Sequence, residues 1–483
     1  MLKTISLSSF VRKHRRPVFL FSLSFGVKCV AFLFLLWWYK VAGHLPDFGG
    51  NFPILGGDSA DYGQLTQNLF SSGTFSSSLS APLIPESFRL PGYSFFLYPF
   101  FFLPNPLVWG VLAQMLLASG SVVLTYLFGK KFLSEKVGFI GAFLFAIEPT
   151  STLNAVIVMS DTLFVFTLLL SVYLLLTSDI SNKRFIWISL LSGLLFGYTV
   201  LVRVIAQYLG LCIIAMYLFY HRGEVPLSKK LLRVVLFVGG VILIIAPWSI
   251  RNHQQFGTYT ISSTPYIAFT QYNLVYFYAY QHHVAPPEVQ HLFSDQIPYP
   301  PDSLWFRSLV NEPIFQREMH DGLSGHMIPY IRFHLVKALP FFITDGLRDL
   351  NLNLDVFPQQ PQVTNFTDLL LRHDYARIAH YFLTPTPDLV MLIIGSSFWT
   401  LVSLLWIGST LSVVIKREKT MWFVLLASGI IFYFAVLSSP LVQPRYRIPA
   451  TPFMFLLAVQ GAYLLKGNIK TRFMSAGLPH ATD

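Results

Sequence analysis

The sequence predicts an all-α polytopic membrane protein of about ten transmembrane helices, given that about 20 apolar residues cross a bilayer. Three observations carry this. Of 483 residues, 54% are hydrophobic and 12% charged, where soluble domains carry about 25% charged residues. Apolar runs of near-spanning length recur at 18–39, 107–128, 155–177, 185–202, 204–220, 234–250, 389–415, 421–439 and 447–465. The basic residues behind the net charge of +11 cluster beside these runs, as they do in cytoplasmic loops. The charge excess therefore marks orientation, and no nucleic-acid partner is expected. Cys29 and Cys212 both sit inside apolar runs, which argues against a disulfide framework or a thiolate metal site.

The elements follow from parity. With Lys3, Arg12, Lys13, Arg15 and Arg16 on the cytoplasmic side, the first run exits, and we read it as a retained signal anchor. The loop 43–92 then faces outside. The run 93–103 is about half of a spanning length and reads as an interfacial or re-entrant segment. If it crossed, Lys130, Lys131 and Lys136 would face outside. The short run 137–147, extended to Phe132, must cross to keep Lys183 and Arg184 inside. The turn Glu148 to Ser151 is then outer, with Asp161 about two turns further on. By the same parity Arg203, the segment PWSIRN (Pro247 to Asn252), residues 251–387 and QPRYRIP (Gln443 to Pro449) are outer, and both termini are cytoplasmic. The chain divides into a transmembrane module with its outer loop (1–250), a large outer region (251–387), and C-terminal transmembrane helices with a short cytoplasmic tail (388–483).

Apart from Lys28 and the cytoplasmic basic clusters, the charges in or beside a span collect at the outer interface, where ionisable residues next to lipid are functional candidates. Tyr62, Leu65, Leu69 and Phe70 recur at helical spacing, predicting an amphipathic helix on the membrane surface that stops at Gly73. Asp58 opens this helix. Its carboxylate is either an N-cap on backbone amides or a catalytic base kept ionised by the helix dipole. Asp161 is the single charge of an otherwise apolar run. The cations available to both acids are Arg89, Arg203, Arg251, Arg445 and Arg447, whose planar forks suit phosphate oxygens as well as carboxylates.

The outer region mixes proline-rich turns with two interfacial helices, at 324–345 and at Thr367 to Phe382. Its histidines lack the i, i+4 pairing of a metal site. No cofactor is required, and a divalent metal finds no support in the residue pattern. Asn365, Phe366 and Thr367 form a glycosylation sequon, of consequence in a eukaryotic secretory setting.

GDSADY, then RLPGY, MSDTLF, LVR at Arg203, PWSIRN and RYRIP occur in an order that resembles the GT-C membrane glycosyltransferases. The likeness is to the bacterial relatives of protein O-mannosyltransferases and of the lipid A aminoarabinose transferase. The resemblance implies a GT-C-like bundle that transfers a sugar from a polyprenyl-phosphate donor to a lipid, glycan or protein acceptor at the outer face of an inner membrane. It implies catalytic roles for Asp58 and Asp161. Substrate-binding roles are expected for Tyr62, Arg89, Arg203, Arg251 and Arg445. The aminoarabinose enzymes place a second acid directly after the catalytic aspartate, where this chain has Ser59. The chemistry suits these residue types: a hydroxyl nucleophile needs a positioned carboxylate, and a departing lipid phosphate needs preorganised cations. Two other readings are a lipid-linked sugar flippase, which would show repeated halves and midplane charges, and an oligosaccharide ligase using a polyprenyl-pyrophosphate donor.

Overall fold

In a computed structural model the described residues are 14–42, 57–179, 181–220, 226–344, 346, 374–383 and 387–475. Among them there are helices and no strands. The N-terminal cluster through Lys13, the loop stretch 43–56, the sequon and residues 367–373 of the second expected outer helix lie outside the described residues.

The transmembrane module runs α1 (Arg15–Ala42), α2 (Gly57–Ser72), α3 (Gly92–Leu97), α4 (Pro106–Phe132), α5 (Glu135–Ile147), α6 (Pro149–Ala155), α7 (Asp161–Thr177), α8 (Phe185–Val202), α9 (Leu209–Tyr220) and α10 (Leu227–Phe256). The outer region holds α11 (Thr264–Ile267), α12 (Val275–His282), α13 (Pro286–Ser294), α14 (Glu312–Leu323), α15 (Met327–Ala338), α16 (Pro340–Ile343) and α17 (Tyr375–Leu383). The chain ends in α18 (Pro387–Lys416), α19 (Met421–Ser438) and α20 (Thr451–Ser475). Among the described residues, six helices are long and apolar enough to cross a membrane: α1, α4, α8, α10, α18 and α19. Two shorter apolar helices, Asp161–Thr177 and Val204–Leu218, accompany them.

Local chemistry explains where the helices stop. Pro106 occupies the first turn of α4, where its missing N–H costs nothing. The Ser134 hydroxyl caps α5 by accepting from the Val137 N–H at 3.2 Å, so α5 begins there and Phe132 closes α4, where a continuous extension was expected. The Glu148 carboxylate accepts from the N–H groups of Thr150 (3.1 Å) and Ser151 (2.6 Å) and starts α6. The run expected as one span from 155 to 177 is broken, and α7 begins at Asp161. PWSIRN is not a loop: α10 continues through it, with Pro247 inside, and ends at Gly257 with φ +77° in the left-handed region that favours glycine. The helix therefore passes the expected 250/251 boundary.

The helices pack α1 on α4, α4 on α5 and α7 on α8 as antiparallel neighbours, and α8 on α10 and α18 on α20 as parallel ones. This sorts the connections to two ends. At one end Phe132 stacks on Phe423 at 4.8 Å and Arg16 pairs with Glu135 at 2.8 Å, near Lys130, Lys131, Lys183 and Arg184. At the other end lie the start of α2, residues 86–92, the start of α7, the end of α8 and the turn Pro444–Arg447. Lys28 is buried in α1 and donates to Ser24 Oγ at 2.9 Å. The apolar side of α2 does not lie on a membrane surface. Tyr62 and Leu65 are buried in the main core, with Tyr62 edge-on to Tyr93 at 4.8 Å.

Glycine sets the closest approaches. A Cβ on Gly193 would meet Phe237 O at 2.1 Å, so α8 and α10 touch through backbone, as small residues permit between membrane helices. A Cβ on Gly92 would lie 2.6 Å from the Leu201 carbonyl. Gly92 thus lets the RLPGY segment press on the last turn of α8, and Tyr198 seals the contact by donating to Gly92 O at 2.8 Å. Gly92→Ala should destabilise the folded protein by about 1–3 kcal/mol, the usual cost of overpacking. Gly26→Ala, in open space on α1, should leave it unchanged. Thermal unfolding in detergent compares them, and equal stability would remove the steric argument.

The outer region is a set of small aromatic cores. Phe277 packs on Tyr330 (5.4 Å) and Phe333 (5.6 Å), and Tyr266 stacks on Phe315 (6.1 Å). Within it Glu318 is 4% exposed, and neither carboxylate oxygen has a hydrogen-bond partner among the described residues. Burial pushes this carboxyl up to about 7 from an unfolded value of about 4.3. Below both values the group is neutral in folded and unfolded chains. As pH rises between them the unfolded chain ionises first, so stability falls across that window and levels off above it. Unfolding scans from pH 4.5 to 8 should show this loss, on the order of 1–3 kcal/mol. Glu318→Gln should flatten it, and an unchanged slope in that variant would assign the loss elsewhere.

Candidate active site

The site is built from chain ends that the bundle gathers together. Asp58 lies in the first turn of α2. Its Oδ1 accepts from Arg89 Nη2 at 2.5 Å and its Oδ2 from Arg445 Nη1 at 2.8 Å. The carboxylate's bonds thus go to two guanidiniums and not to capping amides. One turn on, Asp61 Oδ2 accepts from Arg89 Nε at 3.0 Å and lies 3.5 Å from Arg307 Nη1. Asp161, 1% exposed at the start of α7, pairs with Arg203 Nη1 at the end of α8. Arg445 also reaches Met159 Sδ at 3.8 Å, and the Tyr62 hydroxyl donates to Ser160 Oγ at 3.1 Å. These contacts bring the Asp58 and Asp161 pairs side by side.

The electrostatics are set by opposition. Burial pushes the Asp58 carboxyl up, but the Arg89 and Arg445 guanidiniums outweigh it and hold the group at about 2. Burial likewise works against the charges on Arg89 and Arg445. Tyr62, Asp58 and Asp61 around Arg89, and Asp161 and Asp58 around Arg445, nevertheless raise both above the ordinary arginine value. Four carboxylates (Asp58, Asp61, Glu86, Asp161) face four guanidiniums (Arg89, Arg203, Arg307, Arg445).

The structure therefore joins Asp58, Tyr62, Arg89, Asp161, Arg203 and Arg445. It does not bring Arg251 into this set. That guanidinium lies over the Trp248 ring at 4.6 Å and donates to Glu86 O at 2.7 Å, supporting the loop from behind. Arg447 is buried elsewhere, over the Trp399 ring at 3.5 Å and donating to Phe341 O at 2.8 Å. Among the described residues no group of three His, Cys, Asp or Glu side chains is arranged to hold a metal ion.

Besides Asp61, three residues of the site had no role in the sequence reading. Glu86 is buried, and its Oε1 accepts from the successive N–H groups of Ser87 (3.1 Å), Phe88 (2.8 Å) and Arg89 (3.4 Å). Its Oε2 accepts from Ser77 Oγ at 2.6 Å and faces Arg307 Nη2 at 3.4 Å. Arg307 comes from the outer region, and it and Arg89 both stand over the Phe88 ring, at 5.0 and 4.9 Å. Gln114, fully buried in α4, accepts from Tyr93 OH at 2.7 Å and donates to the carbonyls of Asn154, Ala155 and Ile157. It thereby satisfies the backbone freed by the break before Asp161. A lone amide inside an apolar run was the available signal for Gln114. Nothing local marked Arg307.

Glu86→Gln keeps the shape but removes the charge facing Arg307 and turns an amide toward one of its donors. Leaving a buried polar group unsatisfied costs about 1–3 kcal/mol. The variant should unfold at a lower temperature, and an unchanged midpoint would show that residues 86–89 are held without it.

Residues 91–250, about a third of the chain, match the family model described as dolichyl-phosphate-mannose-protein mannosyltransferase. No curated protein sequence matches. Among solved structures, the archaeal oligosaccharyltransferase AglB from Archaeoglobus fulgidus, in complex with an inhibitory peptide and a dolichol-phosphate, superposes over 98% of this chain. The identity is 11% and the TM-score 0.50. This chain spans 53% of that protein, about half its length. ArnT from Cupriavidus metallidurans matches over 84% of this chain and 72% of its own, at 12% identity and a TM-score of 0.36. The chain thus carries the pattern of the mannosyltransferase family model over residues 91–250 and shares its fold with an oligosaccharyltransferase over nearly its whole length.

Proposed function

We propose that this protein is a membrane glycosyltransferase that moves a sugar from a polyprenyl-phosphate donor to an acceptor hydroxyl, with Asp58 as the general base. The observation that carries this reading is the double guanidinium contact on Asp58, at 2.5 and 2.8 Å, beside the Asp161–Arg203 pair. Such a site offers a carboxylate that is ionised at every physiological pH and cations for a lipid phosphate. The acceptor oxygen bonds to the anomeric carbon, the bond from that carbon to the phosphate oxygen breaks, and the electron pair leaves on the phosphate. The acceptor's proton passes to Asp58. One displacement of this kind inverts the anomeric centre.

In this reading Arg89 and Arg445 meet the phosphate, and Arg203 orients Asp161 at the start of α7. Tyr62 is a positioning residue through Ser160, and Arg251 acts through the Glu86 loop. The site faces the non-cytoplasmic side of the membrane, a reading supported by the basic residues Lys130, Lys131, Lys183 and Arg184 at the opposite end of the bundle. The acceptor is a lipid, glycan or protein hydroxyl reached from the outer region, which contributes Arg307 to the site.

The test is mass spectrometry of envelope lipids, polysaccharides and glycoproteins from cells lacking the protein, complemented with wild type or Asp58→Asn. One sugar modification should vanish with the protein and return with wild type. Asp58→Asn, recovered as folded protein, should fail to restore it, since losing a general base costs about 10²–10⁴-fold. Full restoration by Asp58→Asn would move the base to Asp161 or Asp61.

A further inference from the structure

Arg89 and Arg445 are the nearest cations to Asp58, and both are spent on it. A carboxylate tied to two guanidiniums is a weak proton acceptor. Yet a phosphate that enters the site needs the same forks. The two demands on these arginines conflict in the resting protein and agree during transfer.

The geometry points to a hand-over: Arg89 and Arg445 are shared between Asp58 and the donor phosphate, and pass from the carboxylate to the phosphate as the acceptor's proton moves onto Asp58. This rests on Asp58 being the base. Charge is conserved in the step. Before it, Asp58 carries one negative charge and the phosphodiester one. After it, Asp58 is a neutral acid and the phosphate is a monoester dianion. The negative charge has moved from one partner of the two arginines to the other, so neither cation is left unpaired at any stage.

Three observations support the sharing. The two arginines approach Asp58 on different oxygens, Oδ1 and Oδ2, so one can leave while the other stays. Arg445 retains an Nε–H with no hydrogen-bond partner among the described residues. Arg89 is held in place independently of Asp58, through Asp61 at 3.0 Å and through a loop pinned by Glu86, so releasing Asp58 does not release the guanidinium from the site. Asp61, Asp161, Arg203 and Arg307 keep their own partners throughout.

The consequence is opposite to that of an ordinary binding residue: removing the carboxylate should strengthen phosphate binding. The probe is undecaprenyl phosphate, the monoester, titrated into the full-length protein in nanodiscs. Charge-assisted hydrogen bonds freed from Asp58 should tighten binding about tenfold in Asp58→Asn. Asp58→Ala also removes the carboxylate and serves if the Asn protein is not recovered. Arg445→Ala should weaken binding, and in Asp58→Asn/Arg445→Ala the gain should shrink, since one of the two freed forks is gone. Unchanged or weaker binding in both Asp58 variants overturns the hand-over, as does a full gain in the double variant. Transfer is read separately. Lost transfer with unchanged affinity leaves Asp58 as base and removes the hand-over. Retained transfer removes the base, whatever the affinity.

Discussion

A carboxylate between two guanidiniums organises this protein. Asp58 meets Arg89 from 31 residues away and Arg445 from 387 residues away, so its two bonds tie the start of α2 to the loop before α3 and to the turn before α20. Neither bond is worth much in water, where an exposed ion pair contributes about 0–1 kcal/mol. Here the groups are largely enclosed, and each would be costly to leave alone. That requirement fixes the relative placement of three parts of the chain that share no local sequence signal. The nearby Asp161–Arg203 pair does the same for the ends of α7 and α8.

Around this centre the structure is layered by how each segment satisfies its backbone. Helices serve wherever the chain lies at membrane depth, because lipid offers no partners for N–H and C=O groups. Irregular chain occurs at the site end and is stitched by side chains. Ser262 and Thr264 both donate to Phe88 O, Leu309 N–H donates to Ser87 Oγ, and Asn252 Nδ2 donates to the carbonyls of Thr260 and Ile261. Residues 86–89 are thus held from the outer region on one side and from Arg251 on the other. The outer region is part of the site's wall as well as a cover.

Much of the architecture was legible in the sequence because a bilayer imposes a length and a polarity that few other environments do. The spans near α1, α4, α8, α10, α18 and α19 follow from apolar runs alone. Asp58 and Arg89 were placed on one outer loop, and the order of short motifs drew Arg445 and Asp161 to the same region, but the pairing of Asp58 with Arg89 comes from the fold. Legibility failed where one residue depends on a distant one. A period of 3.6 placed Tyr62 and Leu65 on one face, but it could not say that this face meets Tyr93 in place of lipid. Arg251 and Arg445 look alike as arginines beside spans, and only the fold sends one behind a loop and the other to the carboxylate. Arg307 sits among prolines and aromatics in a long outer segment, with nothing nearby to mark its target.

The break between α6 and α7 makes a single amide responsible for a direction. With Gln114 holding the carbonyls of Asn154, Ala155 and Ile157, the chain at 156–160 is free of helical constraint and α7 starts afresh at Asp161. Each residue added to a helix turns the next side chain by about 100°. Were the break wound into α7, the aspartate would lie inside a longer rod, with its orientation dictated by the turns before it. The interruption separates the two: the lower part of α7 is set by packing in the bundle, and its first residue is aimed by Arg203. The positive end of the α7 dipole also falls at the site, where a continuous helix would have carried it elsewhere.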